Sequence, residues 1–140
     1  MKIRHLSLTA QHPETAAQRL AELSGGVAER FPSKTMSGAW LCVWNKDENE
    51  LIEFIPDDYR LVFSNRGAEY QQQEQRQNFN ASHVMIETKK SVEWLKRTAD
   101  KHGLVHRFRP SFGGPLYDIW LEKYLLIEFF SKEIELLETL

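Results

Sequence analysis

The chain has 140 residues, 41% of them hydrophobic and 27% charged, enough to fill the core of one domain or of two small, closely packed halves, and extensive disorder is excluded. Eighteen Lys and Arg against 20 Asp and Glu give a net charge of -2, which argues against a general nucleic-acid binder, and no apolar run is long enough to span a membrane. The start lacks the apolar block of a signal peptide, and the single Cys42 excludes an intrachain disulfide and a multi-cysteine zinc site, so a cytoplasmic setting is expected.

In chain order, residues 2–10 alternate and predict a strand, with Ile3, His5, Ser7 and Thr9 on one face and Leu6, Leu8 and Ala10 on the other. Pro13 suits the first turn of a helix that buries Ala16, Leu20 and Leu23, and Gly25-Gly26 supplies a left-handed stop. A strand over 27–31 leads to Pro32, and 38–44 and 51–55 predict a hairpin about the polar turn 45–49. Pro56–Asn80, glutamine-rich over 71–77, reads as a linker or a short exposed helix. The same order of elements then returns. A strand over 81–88 precedes a helix capped by Ser91, with Val92, Leu95 and Ala99 on one face and Gly103 at its end. Strands over 104–108, 116–121 and 125–130 follow, and from Lys132 an amphipathic tail is expected to bury Ile134, Leu136 and Leu137 in part.

The register confirms an internal duplication. His5/His83, Leu8/Ile86, Gly25/Gly103, Val27/Val105, Pro32/Pro110 and Ser33/Ser111 are each 78 apart; Gly38/Gly114 and Trp44/Trp120 are 76 apart. Leu51-Ile52-Glu53-Phe54 recurs as Leu126-Ile127-Glu128-Phe129 at an offset of 75. The organisation is therefore a first βαβββ module over 1–56, a linker over 57–79, a second module over 80–131 and a tail over 132–140, together one structural unit.

Each half places one His in its first strand and one Glu in its last. A carboxylate flanked by Leu, Ile and Phe is costly to bury unless it is paired or binds a metal. Taken singly, each of the four reads as an exposed, ion-paired or hydrogen-bonded residue. Taken as a set, pseudo-two-fold packing of the halves would bring His5, Glu53, His83 and Glu128 to one point. Two imidazoles and two carboxylates suit Zn, Ni, Mn, Fe or Co, whereas Mg and Ca prefer oxygen shells.

On these residues the chain resembles the vicinal oxygen chelate superfamily, and in its His/Glu/His/Glu pattern it most resembles glyoxalase I. The resemblance implies an α+β glyoxalase-like fold, with two tandem βαβββ modules forming an open, mostly antiparallel barrel. It implies one divalent transition metal held by His5, Glu53, His83 and Glu128, and a lyase- or isomerase-type proton transfer on a small oxygenated substrate. Glu128 is then the first candidate for the base and Glu53 the second. A homodimer is implied as well; members of the superfamily pair modules within a chain or across a dimer, and in the second case His5 and Glu53 of one chain would meet His83 and Glu128 of the other. Thr9 stands near the place where bacterial glyoxalase I carries an Arg for glutathione, so the resemblance does not extend to that cosubstrate. Two alternatives remain open: a metal-free small-molecule binding protein of the bleomycin-resistance kind, with Trp40, Trp44 and Trp120 lining its pocket, or an Fe(II) ring-cleaving dioxygenase.

Thr9, Glu87, Trp44 and Trp120 are the candidate substrate contacts. Glu87 lies on the His83 face and reads equally as a surface ion-pair partner. Arg107 and Arg109 read as solvated edge charges or as anion-binding groups, Cys42 as a buried, inert thiol, and His106 as a surface residue.

Overall fold

Alternating strands and a Pro-started, Gly-stopped helix build the first module: β1 (His5–Ala10), α1 (Pro13–Ser24), β2 (Val27–Arg30), β3 (Trp40–Asn45) and β4 (Glu50–Pro56). The second repeats it as β7 (His83–Glu87), α2 (Val92–Lys101), β8 (Val105–Arg109), β9 (Leu116–Glu122) and β10 (Leu125–Phe130), with α3 (Lys132–Leu137) after it. Between the modules lie β5 (Tyr59–Ser64) and β6 (Gly67–Gln72). The computed structural model describes residues 2–32, 34, 36–65, 67–76, 81–110 and 115–137; the repeat positions Ser33, Ser111 and Gly114, linker residues 77–80 and the end of the tail lie outside these.

Helix boundaries follow local chemistry. Pro13 opens α1 and Gly25, at φ 81°, closes it in the left-handed region. In α2 the Ser91 hydroxyl accepts from the Trp94 amide at 3.1 Å.

Each module forms an open four-stranded sheet, in the orders β1-β4-β3-β2 and β7-β10-β9-β8, parallel at the first pair and antiparallel elsewhere. His5 stands opposite Leu51 and Ser7 opposite Glu53; in the second sheet His83 stands opposite Leu126 and Met85 opposite Glu128. The offsets of 78 and 75 are thus structural equivalences. For Trp44 and Trp120 the offset of 76 is not. Val43 pairs with Leu51, and Trp120 with Leu126, so Trp120 is the counterpart of Val43, while Trp44 corresponds to Leu121 at a bulge that both sheets share.

The segment expected to be a linker or short helix carries a hairpin instead, with Leu61 opposite Tyr70 and Phe63 opposite Ala68. Alternation of Tyr59, Leu61 and Phe63 is the strand signal that the glutamines after it obscure. In the tail, Ile134 is fully buried but Leu136 is 61% exposed, contrary to the expected partial burial of both.

One cluster unites the modules. Leu8, Ala10, Ile52 and Phe54 of the first sheet and Tyr117, Ile119, Leu121, Ile127 and Phe129 of the second meet around Ala16, Leu20 and Leu23 of α1. Polar ties reinforce it: the Glu122 carboxylate accepts from the Gln11 and His12 amides at 2.8 and 2.7 Å, and Arg19 donates to the Leu121 carbonyl. His106 is no surface residue. Its Nδ1 meets the Tyr117 hydroxyl at 2.8 Å and its Nε2 meets Asp100 at 2.9 Å, which joins α2 to the sheet.

Cys42 sits in this cluster, and burial pushes its thiol up to about 12. Alkylation by iodoacetamide at pH 8, followed by mass spectrometry, should be about a thousandfold slower in the folded chain than in urea, since the thiolate is the nucleophile.

Candidate metal centre

Because both sheets give their helix-side residues to one core, their other faces are directed away from it. Those faces carry the predicted ligands. His5 and Glu53 are diagonal neighbours on the first, His83 and Glu128 on the second. The single chain assembles them as two pairs: among the described residues, no group of three His, Cys, Asp or Glu side chains could hold a metal ion.

The second pair is the more preorganised. The His83 Nδ1–H donates to the Ala81 carbonyl at 3.0 Å, which leaves the Nε2 lone pair free, and Nε2 stands 3.8 Å from Glu128 Oε2. A backbone acceptor fixing the imidazole is the usual support of a ligating His. Two ligand atoms each about 2.1 Å from one ion are about 3.0–3.4 Å apart at octahedral or tetrahedral angles, so a closure of about half an ångström would let the pair share a metal. In the first pair, Ser7 donates to Glu53 Oε2 at 2.6 Å, and the Asn49 side-chain amide lies 3.2 Å from His5 Nδ1. With the amide nitrogen donating, His5 carries its proton on Nε2; turning the amide over gives it the tautomer of His83.

Around Glu128 lies a group that sequence reasoning did not assemble. Arg109 donates to Asp118 in a two-pronged pair at 2.9 and 3.0 Å and to Glu128 Oε1 as well. Asp118 is 3% exposed. Hydrogen bonding to Asp118 is the main cause that holds the guanidinium above its ordinary value, opposed by desolvation and helped by the charge of Glu128. Arg109 is therefore a half-buried bridging cation, not a solvated edge charge; Arg107, 73% exposed in its side chain, is the solvated one. In the first sheet the positions equivalent to Arg109 and Asp118 are Phe31 and Leu41, and Glu53 has no ion-pair partner among the described residues.

The substrate candidates divide. Thr9 lines a cavity of about 390 Å³ beneath the β5–β6 hairpin. Glu87 is exposed and lines, with His5 and Trp44, a cavity of about 310 Å³ between the edges of β1 and β7. Trp44 lies on the core side of its sheet and donates its indole N–H to Ser24 of α1 at 2.9 Å. Trp120 lines a third cavity of about 370 Å³ with Arg19 and Leu104, and Trp40 a fourth beside the start of α1. Within one chain the three tryptophans therefore wall different spaces. A one-residue slip between repeat copies sends equivalent-looking side chains to opposite faces.

No protein-family model matches the sequence, and no curated protein matches it. Solved structures do. The chain is similar to the fosfomycin resistance protein FosX from Listeria monocytogenes, at 12% identity and a TM-score of 0.60 over 96% of this chain and 95% of that one. A mutant of that protein, complexed with Mn(II) and 1S,2S-dihydroxypropylphosphonic acid, matches at 14% identity and a TM-score of 0.59, covering 96% and 97% of the two chains. A possible glyoxalase from Bacillus cereus matches at 16% identity and a TM-score of 0.55, covering 94% and 99%. These matches do not single out glyoxalase I.

Replacing Arg109 by Met leaves Asp118 as a buried charge with its strong partner gone and should destabilise the fold by about 3–5 kcal/mol in urea unfolding. A second change, Asp118→Asn, should recover much of that loss.

Proposed function

We propose that the chain, with its open glyoxalase-like α+β fold, belongs to the vicinal oxygen chelate superfamily and is a metal-dependent enzyme of lyase or isomerase type that moves a proton on a small oxygenated substrate. The observation that carries this reading is the His83–Glu128 pair, with one imidazole nitrogen fixed on a carbonyl and the other 3.8 Å from a carboxylate oxygen. His5 and Glu53 complete the ligand set from a second copy of the chain, because each chain turns its two pairs away from the common core. When bound, a divalent transition ion would polarise the adjacent substrate oxygens and stabilise negative charge on them.

The chain's own residues divide the remaining work. Glu128, tied to Arg109, stays in place. Glu53 has only the Ser7 hydroxyl as its described partner, and it would take a proton from the carbon beside the substrate oxygens and return it to the neighbouring atom. This reverses the order of the two carboxylates that the resemblance suggests. Arg109 and the buried Asp118 position the second half of the site without touching substrate.

Protein purified without chelator should carry about one equivalent of divalent transition metal per chain, and His83→Ala or Glu128→Gln should weaken its binding about tenfold or more. Less than about a tenth of an equivalent, unchanged in the Glu53→Gln/Glu128→Gln double variant, would overturn the metal reading and leave a metal-free binding protein. Pairing across copies has its own signature. His5→Ala and His83→Ala chains, each metal-poor alone, should regain about a quarter of the wild-type metal content after unfolding and refolding as an equal mixture, because half the pairs are mixed and each holds one intact site.

A further inference from the structure

We infer that the cavity beneath the β5–β6 hairpin is a subsite for an aromatic or similarly sized apolar group of the substrate, an inference that rests on the metal reading above for its link to catalysis. The cavity measures about 390 Å³, near the lower end of small-ligand pockets of about 300–1,000 Å³, which suits a ring and a short connection and not a bulky conjugate. Its floor includes Ser7, Thr9 and Ile55, and its roof Tyr59, Leu61 and Tyr70 of the hairpin with Arg60 beside them, so an aromatic ring there would meet hydroxyls and a guanidinium as well as hydrocarbon. Leu61 stands directly opposite Tyr70, and Tyr59 is two residues along the same strand, so the three share one face of the hairpin.

The roof is held in place. Tyr59 and Tyr70 pack on the buried cluster of Met36, Ala39 and Ile55. At the base, the Asp57 amide donates to the Ala10 carbonyl at 3.0 Å, and Gln72 donates to the Asp58 carboxylate at 2.8 Å. Leu61 is left 58% exposed on this face, with the more exposed Phe63 beyond it. An apolar group entering the cavity would cover it, which is the favourable change that burial of exposed hydrocarbon supplies.

Position ties the cavity to the chemistry. Ser7, in its floor, donates to Glu53 at 2.6 Å, so a group seated there lies beside the carboxylate proposed to move the proton. Among the described residues the second module has no such wall, because β10 runs directly into α3. The halves are therefore specialised. The second presents Arg109, Asp118 and Glu128, and the first presents Phe31 and Leu41 at the equivalent positions and adds the hairpin. A substrate suited to both has an oxygenated head and an apolar, ring-sized tail.

Phenol is the probe for the cavity. In amide-resolved NMR it should shift Ser7, Thr9, Ile55 and Tyr70, with or without chelator, and Leu61→Ser, at an exposed position, should weaken its binding about fivefold. Shifts confined to other residues, or binding unchanged by Leu61→Ser, would overturn the subsite. In the metal-supplemented protein, mandelate should bind about tenfold more tightly than lactate, which lacks the ring, and Leu61→Ser should remove most of the difference. Equal binding of the two acids would overturn the assignment of the cavity to substrate. The two readings fail separately: phenol shifts at these residues without metal uptake overturn only the metal centre, and metal uptake without those shifts overturns only the subsite.

Discussion

Two sheets bury one side each in a single core around α1, and the placement of every polar group of interest follows from that burial. Ala16, Leu20 and Leu23 meet side chains from both modules, so neither sheet can turn its helix-side face to water without exposing Phe54 or Phe129. The price of that arrangement is two outward faces that must carry whatever polarity the strands contain. His5, Glu53, His83 and Glu128 lie there because alternation leaves them nowhere else to go. Glu122 and Arg19 then lock the relation between the modules from the rim of the core, where both side chains are only partly buried.

Duplication sets up symmetry, and electrostatics breaks it. At equivalent sheet positions one half has Phe31 and Leu41 and the other has Arg109 and Asp118. Two glutamates that look interchangeable in the strand motif thus sit in different fields, one beside a serine hydroxyl and one clamped by a guanidinium. A charge as deeply placed as Asp118 is tolerated only with a partner of opposite sign, so the clamp on Glu128 follows from the burial of its neighbour.

Much of this could be read from the residues. Period-two alternation located the strands, Pro13, Gly25 and Ser91 marked the helix ends, and repeated His and Glu positions marked the faces that carry them. Three things were less legible. The hairpin was hidden because Gln71, Gln72 and Gln73 weaken the apolar contrast next to Tyr59, Leu61 and Phe63. His106 looked solvent-facing because nothing local reveals that Asp100 and Tyr117 converge on it. The joining of the His5–Glu53 and His83–Glu128 pairs that we propose depends on how two outward faces meet, which strand patterns do not encode.

The shared bulge bears on how duplicated halves acquire different roles. Trp44 and Trp120 differ by one position relative to the hydrogen-bonding frame, and that step places one indole against α1 and the other on the opposite side of its sheet. Evolution can thus convert a packing residue into a wall residue by moving an aromatic across one peptide unit, leaving the strand ladder and the backbone path intact. A gene duplication supplies two such ladders, so one copy can retain the packing solution while the other drifts, and the fold tolerates both.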